Sequence, residues 1–458
     1  MAYYTRSIDA ELTAWKNRTR RKPLLMRGAR QVGKSWAVRH LSESFKYYIE
    51  VNFEKRPELK QVFEEIADVH TITERLSALF TTPIVPGETL LFLDEIQACP
   101  AAINSLWAFK EDFPELHVVG AGSLLEFTLK EMPSFGVGRI SSLFVYPMSF
   151  DEFLMAEGKV KWIEEKHNAN PQNPLFEVLH KELVQAFRTF LLVGGMPASV
   201  ATWVETHDYT QCAEELDDLR QSYYDDFAKY AKKVDPQLLR NTLHSIIMQV
   251  GSKFMYSHVD GGYKADDIKK ALGLLVDAGL AKRVNHTAAN GLPLGAEMNN
   301  KYKKYIYLDS GLLLRIMDME LGGAEALRMQ ILADVASELV NKGGLTEMVA
   351  GWELIKYAPA NSQHDLYYWE NLKNSTTSEV DYILSSNMTI LPLEVKSGTS
   401  GKMKSLRLFM KTKNISYAIR TSLENFAQLI FTEEGDSTLE RKIDVIPLYA
   451  LSALMEKP

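Results

Sequence analysis

A chain of 458 residues, 46% hydrophobic and 24% charged, has an ordinary globular composition and is too long for one hydrophobic core, so about three or four domains are expected. No uninterrupted apolar stretch approaches the ~18 residues of a membrane span, the first residues form no apolar signal core, and two cysteines, Cys99 and Cys212, exclude a disulfide framework or thiolate metal site. No membrane association and a cytoplasmic location are therefore expected, while a net charge of −7 excludes a wholly nucleic-acid-coating protein but permits local basic faces.

The first predicted strand, Pro23-Leu24-Leu25-Met26, runs into Gly-Ala-Arg-Gln-Val-Gly-Lys-Ser at residues 28–35. This G-x-x-x-x-G-K-S pattern reads as a nucleoside triphosphate site. Gly28 and Gly33 allow positive φ and close approach to phosphate, while the successive N–H groups and the following helix N-terminus bind the anion. Lys34 reaches the β- and γ-phosphates, and Ser35 ligates Mg²⁺. The run Gly28, Ala29, Arg30, Gln31, Val32, Gly33, Lys34, Ser35 and Trp36 is assigned to binding ATP.

A strand over Lys46–Phe53 comes next, and then Thr89-Leu-Leu-Phe-Leu-Asp94-Glu95. A continuous apolar run of that length suits a central parallel strand, whose carboxyl end is where open α/β sheets place ligands. Asp94 there holds the Mg²⁺ water shell and Glu95 polarises the attacking water; the plainer reading of Glu95 is a solvated acid at a strand end. A further strand, Leu116–Gly120, leads to Ser123, either a γ-phosphate sensor or simply a turn former after glycine. Leu143–Tyr146 completes a series of strands spaced by helix-length segments, the pattern of βαβ units and a parallel sheet.

These features together resemble the AAA-type P-loop ATPases of bacteria and archaea whose loop reads G-A-R-Q-V-G-K-[ST]. The likeness extends to Leu-Asp-Glu-Ile-Gln-Ala-Cys-Pro100, to the Gly-Ser after the fourth strand, to Gly138-Arg139, and to Tyr146-Pro-Met-Ser-Phe-Asp-Glu-Phe153. It implies that Arg139 is an arginine finger acting on the nucleotide of a neighbouring subunit, hence a homo-oligomer or partner-dependent assembly. The alternative is an arginine that pairs with a surface acid. Residues 1–150 form the ATPase core on this reading.

Residues 151–232 read as helices, with Leu179, Leu183, Ala186, Phe187, Phe190 and Leu191 at helical spacing before the break Gly194-Gly195-Met196-Pro197. The resemblance makes them a helical lid and gives that turn a hinge or nucleotide-sensing role; by itself it is a tight turn. From 233 to 320, two amphipathic helices precede strands Leu280–Val284 and Lys301–Tyr307, the order of a winged helix. Lys264, Lys269, Lys270, Lys282, Arg283, Lys301, Lys303 and Lys304 make DNA contact plausible, although solvated faces and protein-binding winged helices look the same.

In residues 321–458, Glu379-Val-Asp-Tyr-Ile-Leu384 and Thr389-Ile-Leu-Pro-Leu-Glu-Val-Lys396 read as a hairpin. Pairing Leu384 with Thr389 puts Asp381 opposite Pro392, and alternation puts Asp381, Glu394 and Lys396 on one face. Two carboxylates and an amine at a sheet edge can bind Mg²⁺ and position water against a phosphodiester. This arrangement resembles the PD-(D/E)xK nucleases, a likeness that assigns Glu347 as a further acid, and Glu394-Val-Lys-Ser-Gly398 matches the C-terminal domain of the same ATPase family. The expected fold is thus α/β: a parallel-sheet AAA-type core with helical lid, winged helix and C-terminal α/β nuclease-like domain. Two functions follow, an ATPase that binds or processes DNA, or a slow ATPase switch whose C-terminal domains bind a protein or mediate assembly.

Overall fold

Five parallel strands, β1 (Leu24–Arg27), β2 (Tyr47–Asn52), β3 (Thr89–Asp94), β4 (His117–Ala121) and β5 (Ser141–Phe144), form one sheet in the order β2-β3-β4-β1-β5. They belong to a computed structural model that describes residues 3–65, 68–123, 125–131, 138–230, 233–321, 342–371, 378–397, 403–433 and 436–454. Its chain divides into two units. The sheet lies in the first, made of Met1–Met148 with Asp277–Leu280 and Pro359–Gln363; the second comprises Ser149–Val276, Ala281–Ala358 and His364–Pro458.

In the first unit every residue of β3 and β4 is buried, as the apolar runs require of central strands covered on both faces. Leu25, Ile49, Val51, Leu91, Leu93 and Val118 pack against Ile72 and Leu76 of the helix Val69–Phe80 and against Ile103, Leu106 and Phe109 of the helix Pro100–Asp112. Register places Met26, Ala121 and Asp94 level across β1, β4 and β3. The carboxyl ends of these three strands therefore form one edge, with the β4 end between the other two.

The second unit opens with the helix Phe150–Ala156, started by reciprocal capping between Ser149 and Glu152. Helices Val160–Asn168, Glu177–Val193, Pro197–Thr206 and Tyr209–Asp226 follow, with the rings of Phe150, Phe153, Phe187 and Phe190 packed together in their core. The Gly194-Gly195 turn is fastened to the buried Asp309, whose carboxylate accepts from the Gly195 N–H at 2.7 Å and the Leu312 N–H at 3.0 Å. A side chain on Gly194 would collide with that carboxylate. Residues 231–232, at the expected end of the lid, and Gly398 lie outside the described residues.

After the helices Pro236–Met248 and Ala265–Asp277 comes an antiparallel ribbon of β6 (Ala281–Thr287) and β7 (Met298–Tyr307). This is the ribbon expected from the sequence, and it extends into a larger sheet. β8 (Leu366–Glu370) pairs parallel to β6, and β9 (Glu379–Val380) pairs antiparallel to β8, giving a four-stranded sheet β7-β6-β8-β9 that spans the expected boundary at 320/321. The C-terminal sheet, in order β10-β11-β12-β14-β13, is built from β10 (Tyr382–Ser386), β11 (Thr389–Val395), β12 (Tyr417–Ser422), β13 (Ala427–Glu433) and β14 (Asp436–Pro447).

The β10–β11 hairpin forms, but two residues out of the expected register. Ser386 pairs with Thr389 and Leu384 with Leu391. Asn387 and Met388 both take positive φ, 48° and 61°, so the chain reverses in a two-residue turn whose twist matches the strands, rather than in the four-residue turn inferred from Ser385–Met388. A shift of two keeps side chains on the same face. It moves Pro392 opposite Ile383, while Tyr382 faces Leu393, and Asp381 stands at the break between β9 and β10.

Candidate functional site

Gly28, at φ 143°, follows β1 directly, and a Cβ there would collide with the Val145 carbonyl. Gln31 and Gly33 also take positive φ, 62° and 96°, which turns the loop back into the helix Lys34–Ser42. Ala29 and Val32 bury their side chains and anchor the loop, and the Arg6 guanidinium, itself buried, donates to the Val32 carbonyl at 3.2 Å. Trp36 stands on the exposed side of the helix, with the Arg39 guanidinium 5.7 Å from its ring.

Lys34 is buried, and its ammonium donates to the carbonyls of Gly28 at 2.9 Å and Ala29 at 2.6 Å. Loss of water lowers its pKa to about 8, against the pull of Glu95 and Asp94. Ser35 Oγ donates to Asp94 Oδ1 at 2.9 Å, and Asn52 Nδ2, from the end of β2, donates to Asp94 Oδ2 at 2.8 Å. Burial pushes the Asp94 carboxyl up, while these two hydrogen bonds pull it down. Asn52 was not expected from the sequence; its only sign there is a polar residue at the end of a strand.

Glu95 takes a left-handed backbone conformation, φ 50°, rare enough for a non-glycine residue to mark a constrained site. Its carboxylate accepts from Gln97 Nε2 at 2.7 Å. Ser123 follows β4 at the edge that also carries Asp94 and the loop. Arg139 is half-exposed, paired with Glu111 at 2.7 Å and 5.4 Å from the Trp107 ring. An exposed pair of this kind is worth about 0–1 kcal/mol and exchanges readily.

A second cluster lies in the C-terminal half. Carboxylate oxygens of Glu347, Glu379 and Asp381 fall within 4.8 Å of one another. Of the acids expected from the sequence, Glu347 and Asp381 lie in this group, and Glu379 joins them. Glu394 instead pairs with Lys396, leaving Glu394 Oε2 buried with no hydrogen-bond partner among the described residues. Asp381 Oδ2 accepts from the Val395 N–H at 2.7 Å, fixing the start of β10 to the end of β11.

The ammonium of Lys304, on β7, enters this cluster. It donates to Glu347 Oε1 at 2.8 Å and pairs closely with Glu379. At 1% exposure Lys304 is withdrawn from the basic surface to which its lysine-rich strand had assigned it. Burial opposes its charge, but Glu347, Glu379 and Asp381 outweigh that and raise its pKa. Burial pushes Glu347 up to about 8 and Glu394 up to about 7, with neighbouring carboxylates adding to both. Two more of the proposed DNA-facing lysines, Lys269 and Lys270, are paired with Asp266 and Asp267 at 3.0 and 3.2 Å.

The donor sets differ in what they can take. The loop offers backbone amides, an amine held only by neutral carbonyls, and hydroxyl and carboxylate oxygens suited to Mg²⁺, so it fits a metal-bound triphosphate. The carboxylates of the second cluster suit a hard cation by chemistry, but the Lys304 ammonium already stands between Glu347 and Glu379, and as arranged they do not fit a metal ion.

The loop after β1 and its sheet define a P-loop α/β module. Residues 20–154 match the family model described as an AAA domain, which agrees with that core. Residues 184–321 and 342–451 match two models each described as a domain of unknown function, DUF8612 and DUF4143. No curated protein matches this chain. Among solved structures, the Walker-type ATPase PABY2304 of Pyrococcus abyssi is 14% identical, with 69% of this chain and 96% of that one covered and a TM-score of 0.45. The Aeropyrum pernix ORC1 protein in complex with DNA is 14% identical, covering 73% and 95%, with a TM-score of 0.27. The S. cerevisiae Hsp104–ADP complex is 13% identical, covering 78% and 50%, also at 0.27. At these scores the likeness carries no functional argument. No helix of the described residues is long and apolar enough to cross a membrane.

Proposed function

We propose that this chain binds and hydrolyses Mg²⁺-ATP at the loop after β1 and uses turnover to switch the state of its C-terminal half. The observation that carries the reading is Lys34, a buried amine whose hydrogen bonds among the described residues go to neutral carbonyls, beside a Ser35 hydroxyl already held on Asp94. ATP would supply the phosphoryl group and Mg²⁺ would offset the charge on its phosphates. Lys34 would neutralise phosphate charge, Ser35 and Asp94 would hold the metal shell, Glu95 would accept a proton from the attacking water, and Ser123 would read the γ-phosphate from the end of β4. Arg139 serves the site of a neighbouring subunit. Lys34→Ala should bind nucleotide about two orders of magnitude more weakly, whereas Glu95→Gln should bind ATP without turning it over. Wild-type affinity in the first variant would undo the loop assignment. Arg139→Ala mixed with Glu95→Gln should recover partial activity, and full activity of Arg139→Ala alone would remove the finger.

Two readings of the C-terminal half are distinguished by Lys304. Metal-dependent cutting of DNA by Glu347, Asp381, Glu394 and Lys396 requires the Lys304 ammonium to leave; a switch that binds DNA or a protein partner without cutting does not. Lys304 between Glu347 and Glu379 favours the second. DNA binding measured across a salt series, with and without a non-hydrolysable ATP analogue, tests it. Nucleotide-dependent affinity that falls with salt, without strand cleavage, is the expected result; Mg²⁺-dependent nicking abolished by Asp381→Ala would restore the nuclease reading.

A further inference from the structure

Gln97 stands two residues after Glu95, in a short 3₁₀ turn, and its amide has two faces with different fates. Nε2 donates to the Glu95 carboxylate at 2.7 Å. Oε1 is buried and accepts no hydrogen bond among the described residues. The orientation is dictated by chemistry, because the reverse would set the amide oxygen against a carboxylate. An acceptor left bare in this way costs about 1–3 kcal/mol, so its place needs a reason.

The reason lies at the end of β4. A Cβ built on Gly122 would collide with Gln97 Oε1 and Cδ, while the next nearest atom, the Gln97 backbone nitrogen, lies at an ordinary 3.7 Å. Gly122 is not among the glycines with positive φ. Glycine is needed here for room, and the room is taken up by one side chain. Gln97 is thus wedged between Glu95 and the turn that leads to Ser123.

We infer that Gln97 is a positioning residue for ATP hydrolysis, holding the Glu95 carboxylate in place while its carbonyl end rests on Gly122. This deepens the ATPase reading and depends on Glu95 being the base. The left-handed backbone of Glu95 aims the carboxylate, Gln97 stops it from swinging, and any displacement of the Gly122–Ser123 turn is transmitted to the base through the Gln97 amide. The consequence is specific: Gly122→Ala should act by pushing a flexible side chain off Glu95 rather than by moving the strand.

Steady-state ATPase kinetics on full-length Gln97→Ala, Gly122→Ala, the double variant and Glu95→Gln test this. Expected are a roughly 10- to 100-fold fall in kcat for Gln97→Ala and for Gly122→Ala with KM for ATP little changed, and no further loss when the two are combined. If Glu95→Gln is inactive yet Gln97→Ala turns over like the wild type, or if the two losses multiply, the positioning role is overturned while the base stands. Turnover persisting in Glu95→Gln instead removes the base and this role with it. Unchanged ATP binding and melting temperature guard against a folding defect, and the Gly122→Ala variant probes the same contact without touching Gln97.

Discussion

Two buried lysines set the halves of this molecule apart. Lys34 is held by the neutral carbonyl oxygens of Gly28 and Ala29, and burial draws its pKa down to about 8. Lys304 is equally buried but stands among Glu347, Glu379 and Asp381, which draw its pKa up. A cation whose hydrogen bonds among the described residues go only to neutral carbonyls is prepared for an anionic ligand. A cation already neutralised by carboxylates is part of the scaffold, and it links β7 to the helix Lys342–Lys356 and to β9. Motif matching alone treats both as ligand sites; the partners of the amine separate them.

The comparison can be broken at either lysine or at the base. The largest effect is expected from Glu95→Gln, a fall in kcat of roughly 10²- to 10⁴-fold with ATP affinity retained, measured as phosphate release beside nucleotide titration. Lys304→Met should cost about 3–5 kcal/mol of stability in the second unit by stranding buried carboxylates, read by chemical denaturation, and adding Glu347→Gln should recover part of it. ATP binding should survive in that variant. Lys34→Ala should weaken ATP binding by about two orders of magnitude through loss of charge-assisted hydrogen bonds, with little change in melting temperature.

A smaller effect concerns protons. The folded, unloaded protein holds the Lys34 pKa near 8, below its ordinary 10.5, so the amine starts to discharge as pH rises through that value. Phosphate beside the amine favours the charged form. ATP binding should therefore take up a proton above about pH 8 and none near pH 6.5, with affinity falling at most about tenfold per pH unit on the alkaline side. Calorimetry in buffers of different ionisation enthalpy reads this directly, and an enthalpy independent of buffer at pH 8.5 would contradict it.

Much of the first unit was legible because its signals are local. An apolar run, Gly28 and Gly33, and an acid at a strand end fix strand, loop and edge within a few residues, and Asp94 and Ser35 do meet. Asn52 and Gln97 were not read, because a polar residue at a strand end or in a turn carries no mark of the partner it will find. In the second unit the hairpin was legible, but its register was not, since that depended on Asn387 and Met388 both taking positive φ. Lys304 was misread for a related reason. Within Lys301–Lys304 the sequence shows a basic strand, and only the packing of β7 decides which lysine turns inward. The strands β12 to β14 were not read at all; β12 pairs with β11 and β14 with β12, joining segments distant in sequence.

The contrast between the two lysines is tested most directly by titrating Mn²⁺ into the full chain without nucleotide and following bound metal by electron paramagnetic resonance. With Lys304 occupying the carboxylate cluster, no stoichiometric site should appear in the wild-type protein, and DNA should remain uncut under the same conditions. One tightly bound Mn²⁺ per chain, lost in Asp381→Ala and accompanied by strand cleavage, would contradict the account and make the C-terminal cluster a metal site in its own right.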